Sequence, residues 1–103
     1  MFFKLTGTAL QAAQISIARY CLQLEGQSGA IDIVHVVKNI NDEYRLVPEK
    51  ALDALINDIS YAYAYLKNQQ LEEMSRAGYW KFKALSPFEA KQQLDDELGA
   101  LGA

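Results

Sequence analysis

Asp32 and His35 stand three residues apart. On a helix that spacing turns a carboxylate and an imidazole toward one side, as half of a carboxylate-bridged dimetal site requires. A full site needs two such pairs and further glutamates, and His35 is the only histidine. The pair therefore reads first as part of a solvated polar face. Its second reading is the centre of a small enzyme or a ligand- or metal-binding protein, with a second copy of the chain completing the ligand set. Cys21 is the only cysteine, which excludes an intramolecular disulfide and a multi-cysteine metal site and fits a reducing cytoplasm. It falls in line with Leu10, Ala13, Ile17 and Leu24, the placement of a small core hydrophobe, and no recognisable base accompanies it to activate a thiolate. Asp95, Asp96 and Glu97 are consecutive, so on a helix they fan over about 200° and do not converge on one ion. Glu72 and Glu73 share that geometry. There is no glycine-rich phosphate loop, no G-x-S-x-G elbow and no C-x-x-C. The expectation is a chain with no catalytic residues, no metal site and no cofactor.

Aromatic residues offer a different chemistry, that of recognition. Tyr61, Tyr63 and Tyr65 alternate with Ala62 and Ala64. A strand would put all three rings on one face, whereas a helix groups Tyr61 with Tyr65 and sends Tyr63 the other way. Leu52, Leu55, Ile56, Ile59, Tyr63 and Leu66 recur at the spacing of a helical stripe, which assigns Tyr63 to the core and leaves Tyr61 and Tyr65 on the back. There they either pack under the C-terminal segment or form an interface, with Asn68 and Glu72 continuing the same face. Trp80 and Phe82, interleaved with Lys81 and Lys83, read as core residues or as a second recognition element. Stacking on single-stranded nucleic acid is the weaker alternative, because two lysines in an acidic chain make a small electrostatic footprint.

Composition bounds these readings. The 103 residues suffice for one domain with one hydrophobic core, spanning residues 1–103. A net charge of −3 and a pI near 5.0 argue against nucleic acid as a partner. Carboxylates outnumber basic groups in residues 42 to 77, which favours a protein partner with a basic surface. No stretch approaches the roughly 20 apolar residues of a membrane span. The opening MFFKLTGTALQAAQ resembles a secretory signal poorly, since Phe2 and Phe3 precede the lone Lys4 and Gln11 and Gln14 interrupt the apolar run. A cytoplasmic protein is expected.

The elements that would position these residues are helices near 8–25, 30–44, 48–77 and 87–98. Thr6 or Thr8 caps the first, and Gly26 ends it. Its apolar arc is wide, with Ile15, Ala18 and Leu22 extending the main stripe, and Ala12, Ser16, Arg19 and Gln23 form its strip for water. Residues 31 to 44 are ambiguous: β-branched Ile31, Ile33, Val34, Val36 and Val37 favour a strand, while Ile33, Val36, Val37, Ile40 and Tyr44 fit a helical stripe. Pro48 suits a first helical turn. From there to Ala77 a helix would be about 45 Å long. A compact chain of this length is about 33 Å across, so the helix breaks near Asn68, the fold is elongated, or a second subunit covers the overhang. Ser86, Pro87 and Glu89 spell a capping box for the last helix. The predicted fold class is all-α, a mostly helical four-helix bundle. The alternative is α+β with a small three-stranded sheet, adding Phe2 to Leu5 and Tyr79 to Leu85 to the β-branched segment. The predicted function is that of a small protein–protein interaction module, an adaptor, chaperone-like binder or inhibitor, acting on another protein or as a homodimer. Its binding residues are Tyr61, Tyr65, Asn68, Glu72, Trp80 and Phe82.

Overall fold

The computed structural model describes Leu5, residues 7–77 and residues 85–102, the side chains of 72–77 excepted. Four helices follow one another: α1 (Gly7–Ser28), α2 (Ile33–Tyr44), α3 (Leu52–Ala77) and α4 (Pro87–Gly102), with a 3-10 turn at Glu49–Ala51 leading into α3. Among the described residues there is no strand, so the fold is all-α and the sheet alternative is set aside. The β-branched run of α2 is helical because Ile33, Val36, Val37 and Ile40 share the face that meets the core, and burial outweighs strand propensity of a few tenths of a kcal/mol per residue.

α1 is the spine, packed between α3 and α4. Gln14 meets Asp58 and Glu25 meets Tyr63, so α1 and α3 run parallel. Arg19 meets Glu97 and Gln23 meets Leu85, so α4 runs antiparallel to α1. α2 packs on α3 and reaches α4 through side chains, the Tyr44 hydroxyl donating to Asp95 and Lys91 Nζ donating to Glu43 at 3.1 Å. The core gathers Ala13, Ile17, Ala18 and Cys21 of α1, Val37 and Ile40 of α2, Leu55 and Ile59 of α3, and Leu94 and Leu98 of α4. Each large aliphatic side chain so buried contributes about 1.5–3 kcal/mol.

Three features differ from expectation. α1 passes through Gly26 and stops at Gly29, whose φ of +81° is the left-handed backbone that ends a helix, with Gly29 N–H donating to Glu25 O at 2.7 Å. Asp32 is not on the polar face of α2 but caps it, its Oδ1 accepting from His35 N–H at 3.2 Å. The strip of α1 assigned to water is largely covered, because α4 lies along it. Ser16 and Gln23 are buried there, Gln23 Oε1 accepts from Leu85 N–H at 2.9 Å, and Arg19 pairs with Glu97 at 3.3 Å. Small and polar residues let α4 come close and answer its backbone, which an aliphatic strip would not do. α3 runs unbroken past Asn68 to Ala77, and the molecule is elongated, 43 × 24 × 24 Å.

Turn chemistry fixes the rest. Buried Asn41 holds the chain between α2 and α3 through both backbone polar groups of one residue, its Oδ1 accepting from Val47 N–H at 3.0 Å and its Nδ2 donating to Val47 O at 3.1 Å. The capping box of α4 is formed as the sequence indicates: Ser86 Oγ accepts from Glu89 N–H at 3.2 Å, and Glu89 Oε1 accepts from Ser86 N–H at 3.3 Å.

Candidate functional site

The outward side of α3 carries Tyr61, Tyr65 and Asn68 within an arc of about 60°, and Glu72 belongs to the same arc by backbone position. Opposite them Leu55 and Ile59 are buried, and Tyr63 and Leu66 are partly so. The separation of the three tyrosines is thus the one that helical period imposes. Tyr61 is 79% exposed and Tyr65 57%, so α4 does not cover them. Asn68 is exposed as well. The Tyr65 hydroxyl accepts from Gln69 Nε2 at 2.9 Å, whereas the Tyr61 hydroxyl has no partner among the described residues. The side chain of Glu72, together with Trp80 and Phe82, lies outside the described residues.

Two clefts flank this face. One, of about 380 Å³, lies between α1 and α3 and is lined by Gln11, Gln14, Ile15, Asp58, Tyr61 and Ala62. Ile15, 45% exposed, brings α1 into the surface beside Tyr61. Ile15 lies about 60° round α1 from buried Ala18 and about 160° from Ile17, at the edge of the wide apolar arc, where the placement of α3 and α4 leaves it outside. The second cleft, of about 330 Å³, sits between α1, α3 and α4, where Leu22 and Leu66 give an apolar wall and Gln23, Gln69, Gln70 and Gln93 add amides beside Arg19.

The support beneath the tyrosines is a clasp that spacing alone does not show. Tyr63 and Lys67 stand one helical turn apart, a geometry in which an ammonium could ease deprotonation of a phenol. Glu25 of α1 changes that outcome. It accepts from the Tyr63 hydroxyl and pairs with Lys67 Nζ at 2.9 Å. Burial and the bond to Glu25 push the Tyr63 phenol up, against the pull of Lys67. Lys67 is also raised, by its bonds to Glu25 and Tyr63, while Glu25 is lowered by Tyr63 first and Lys67 second. Each group is held in the form it has at neutral pH, which suits a structural clasp better than proton transfer. A second clasp of the same kind joins α2 to α4, with the Tyr44 hydroxyl donating to Asp95 and Lys91 Nζ reaching Asp95 at 2.8 Å. Burial, then Asp95, pushes Tyr44 up.

The remaining candidates are placed apart from one another. Cys21 is fully buried, and burial, helped by the charge of Glu25, pushes its thiol up to about 12. His35 is exposed and its Nε2 lies 3.2 Å from Asn39 Nδ2, while the Asp32 carboxylate is turned to the helix end. Among the described residues no three histidine, cysteine or carboxylate side chains are grouped so as to hold a metal ion. No described helix is long and apolar enough to cross a membrane. The chain matches no protein-family model, and comparison with curated proteins and with solved structures gives no match.

Proposed function

We propose that the chain is a small cytoplasmic protein–protein interaction module with no catalysis of its own, docking through the outward face of α3. The observation that carries this reading is the 79% exposure of Tyr61 on a helix whose other side is fixed in the core. Tyrosine and tryptophan dominate interface hot spots because they offer a large, stiff, amphipathic surface at low conformational cost. Tyr65, Asn68 and Ile15 extend that surface with the mixed apolar and polar character of a non-obligate contact. The partner is another protein, or a second copy of this chain.

The test is the double variant Tyr61→Ala, Tyr65→Ala. Its unfolding free energy is expected to stay within about 0.5 kcal/mol of the parent, as for exposed positions generally. Self-association in sedimentation, or retention of the natural partner by the immobilised protein, is expected to be lost. Association undiminished in a folded double variant overturns the reading, and so does a double variant that no longer folds, since the rings would then serve the core.

A further inference from the structure

The cleft between α1 and α3 has a chemistry more specific than its size. Ile15, Ala62 and the ring of Tyr61 give it apolar walls, Asp58 supplies a carboxylate, and Gln11 and Gln14 supply amides. Gln14 Nε2 donates to Asp58 Oδ2 at 3.2 Å, which leaves Oδ1 without a partner among the described residues. No lysine, arginine or histidine lines the cleft, and no ion pair among the described residues engages Asp58. An exposed carboxylate beside an exposed aromatic ring and an aliphatic wall is complementary to a long side chain with an apolar stem and a cationic head. Arginine fits better than lysine. Its guanidinium is planar and weakly hydrated, stacks on aromatic faces, and donates in directions that match a carboxylate and amide oxygens, whereas an ammonium is a strongly hydrated point charge.

We propose that this cleft receives an arginine side chain of the partner protein, stem against Ile15 and Ala62, guanidinium over Tyr61 and bonded to Asp58. The net charge of −3 favours the approach of such a partner. This deepens the interaction reading and rests on it, since it assigns the chemistry of one part of the same surface.

The experiment is an NMR titration of the intact chain with the capped peptide acetyl-Gly-Arg-Gly-amide, alongside the corresponding lysine and citrulline peptides. Saturable shifts are expected at the methyls of Ile15 and Ala62 and the ring of Tyr61 with the arginine peptide, and weaker ones with the other two. Asp58→Asn is expected to weaken binding on the order of fivefold, while Asp42→Asn, an exposed carboxylate on α2, leaves it unchanged. Overturning results are no saturable shift at those groups, an equal response to lysine, or full binding by Asp58→Asn. Should any of these occur while the double tyrosine variant still loses association, the arginine site falls and the interaction surface stands. If association is indifferent to both tyrosines, the underlying reading fails whatever the peptide does.

Discussion

Cys21 and Asp32 show how a reactive residue type is put to structural use. The Cys21 thiol, raised to about 12, has essentially no thiolate at neutral pH and behaves as a small core hydrophobe between its helical neighbours. Asp32 makes one interaction that decides its role, accepting from the His35 backbone N–H, a group that the start of α2 leaves without an intrahelical partner. Replacing Asp32 with Ala is expected to cost about 1 kcal/mol in urea unfolding, and Asp32→Asn only a few tenths, since Asn caps as well as Asp. The comparison separates capping from charge. Equal losses in the two variants would show that the negative charge at the positive end of α2, rather than the cap bond, was what mattered.

At the scale of elements, Arg45 is the one strained junction among the described non-glycine residues. It ends α2 with φ 55° and ψ 47°, its N–H donating to Asn41 O at 2.8 Å. A left-handed conformation costs an L-residue about 1–2 kcal/mol, and glycine is nearly free of that cost. Arg45→Gly keeps the backbone bond and is expected to raise stability by about 0.5–1 kcal/mol, read as a higher urea midpoint with unchanged slope. A lower midpoint would mean that the Arg45 side chain contributes more than its exposure suggests. The sequence offered Arg45 no sign of this role. It did show the elements whose signals are local. Period separated Tyr63 from Tyr61 and Tyr65, Ser86 to Glu89 marked the start of α4, and the stripe from Ile33 to Tyr44 outweighed β-branching. What it missed depends on a partner helix. Gly26 invites a stop, but one glycine inside a helix costs only about 1 kcal/mol, and Gln27 beyond it donates to Leu85 O just before α4. Ser16 and Gln23 look solvated until α4 covers them, and Ile15 looks buried until the positions of α3 and α4 leave it outside. The tyrosine face was legible because it lies on one helix, and the cleft beside it was not because α1 supplies half its lining.

For the whole molecule, the two clasps set a pH window. They tie α1 to α3 and, through side chains, α2 to α4. Glu25 is lowered by its bonds to Tyr63 and Lys67. Asp95 is lowered too: burial raises it, but bonds from Lys91 and Tyr44 outweigh that. Between their folded and unfolded values the unfolded chain binds more protons, so this stabilisation is complete above the ordinary carboxylate range, about pH 4, and is lost as pH falls through the folded values. Tyr63 and Tyr44 are raised by burial first and by their carboxylates second. There the folded chain holds the proton longer, so stability is complete below about pH 10 and declines as pH rises toward the folded values. Lys67, raised by its bonds to Glu25 and Tyr63, acts in the same sense. Urea midpoints are therefore expected to be level through neutrality and to fall on both sides. In the double variant Tyr63→Phe, Tyr44→Phe the alkaline fall should be shallower than in the parent, because the phenols that would have to ionise are gone. The acid limb should weaken as well, since Glu25 and Asp95 each lose a donor while keeping their lysines. If parent and double variant fall in parallel between about pH 7 and 11, the clasps do not govern the window, and the bundle must owe its alkaline limit to other groups.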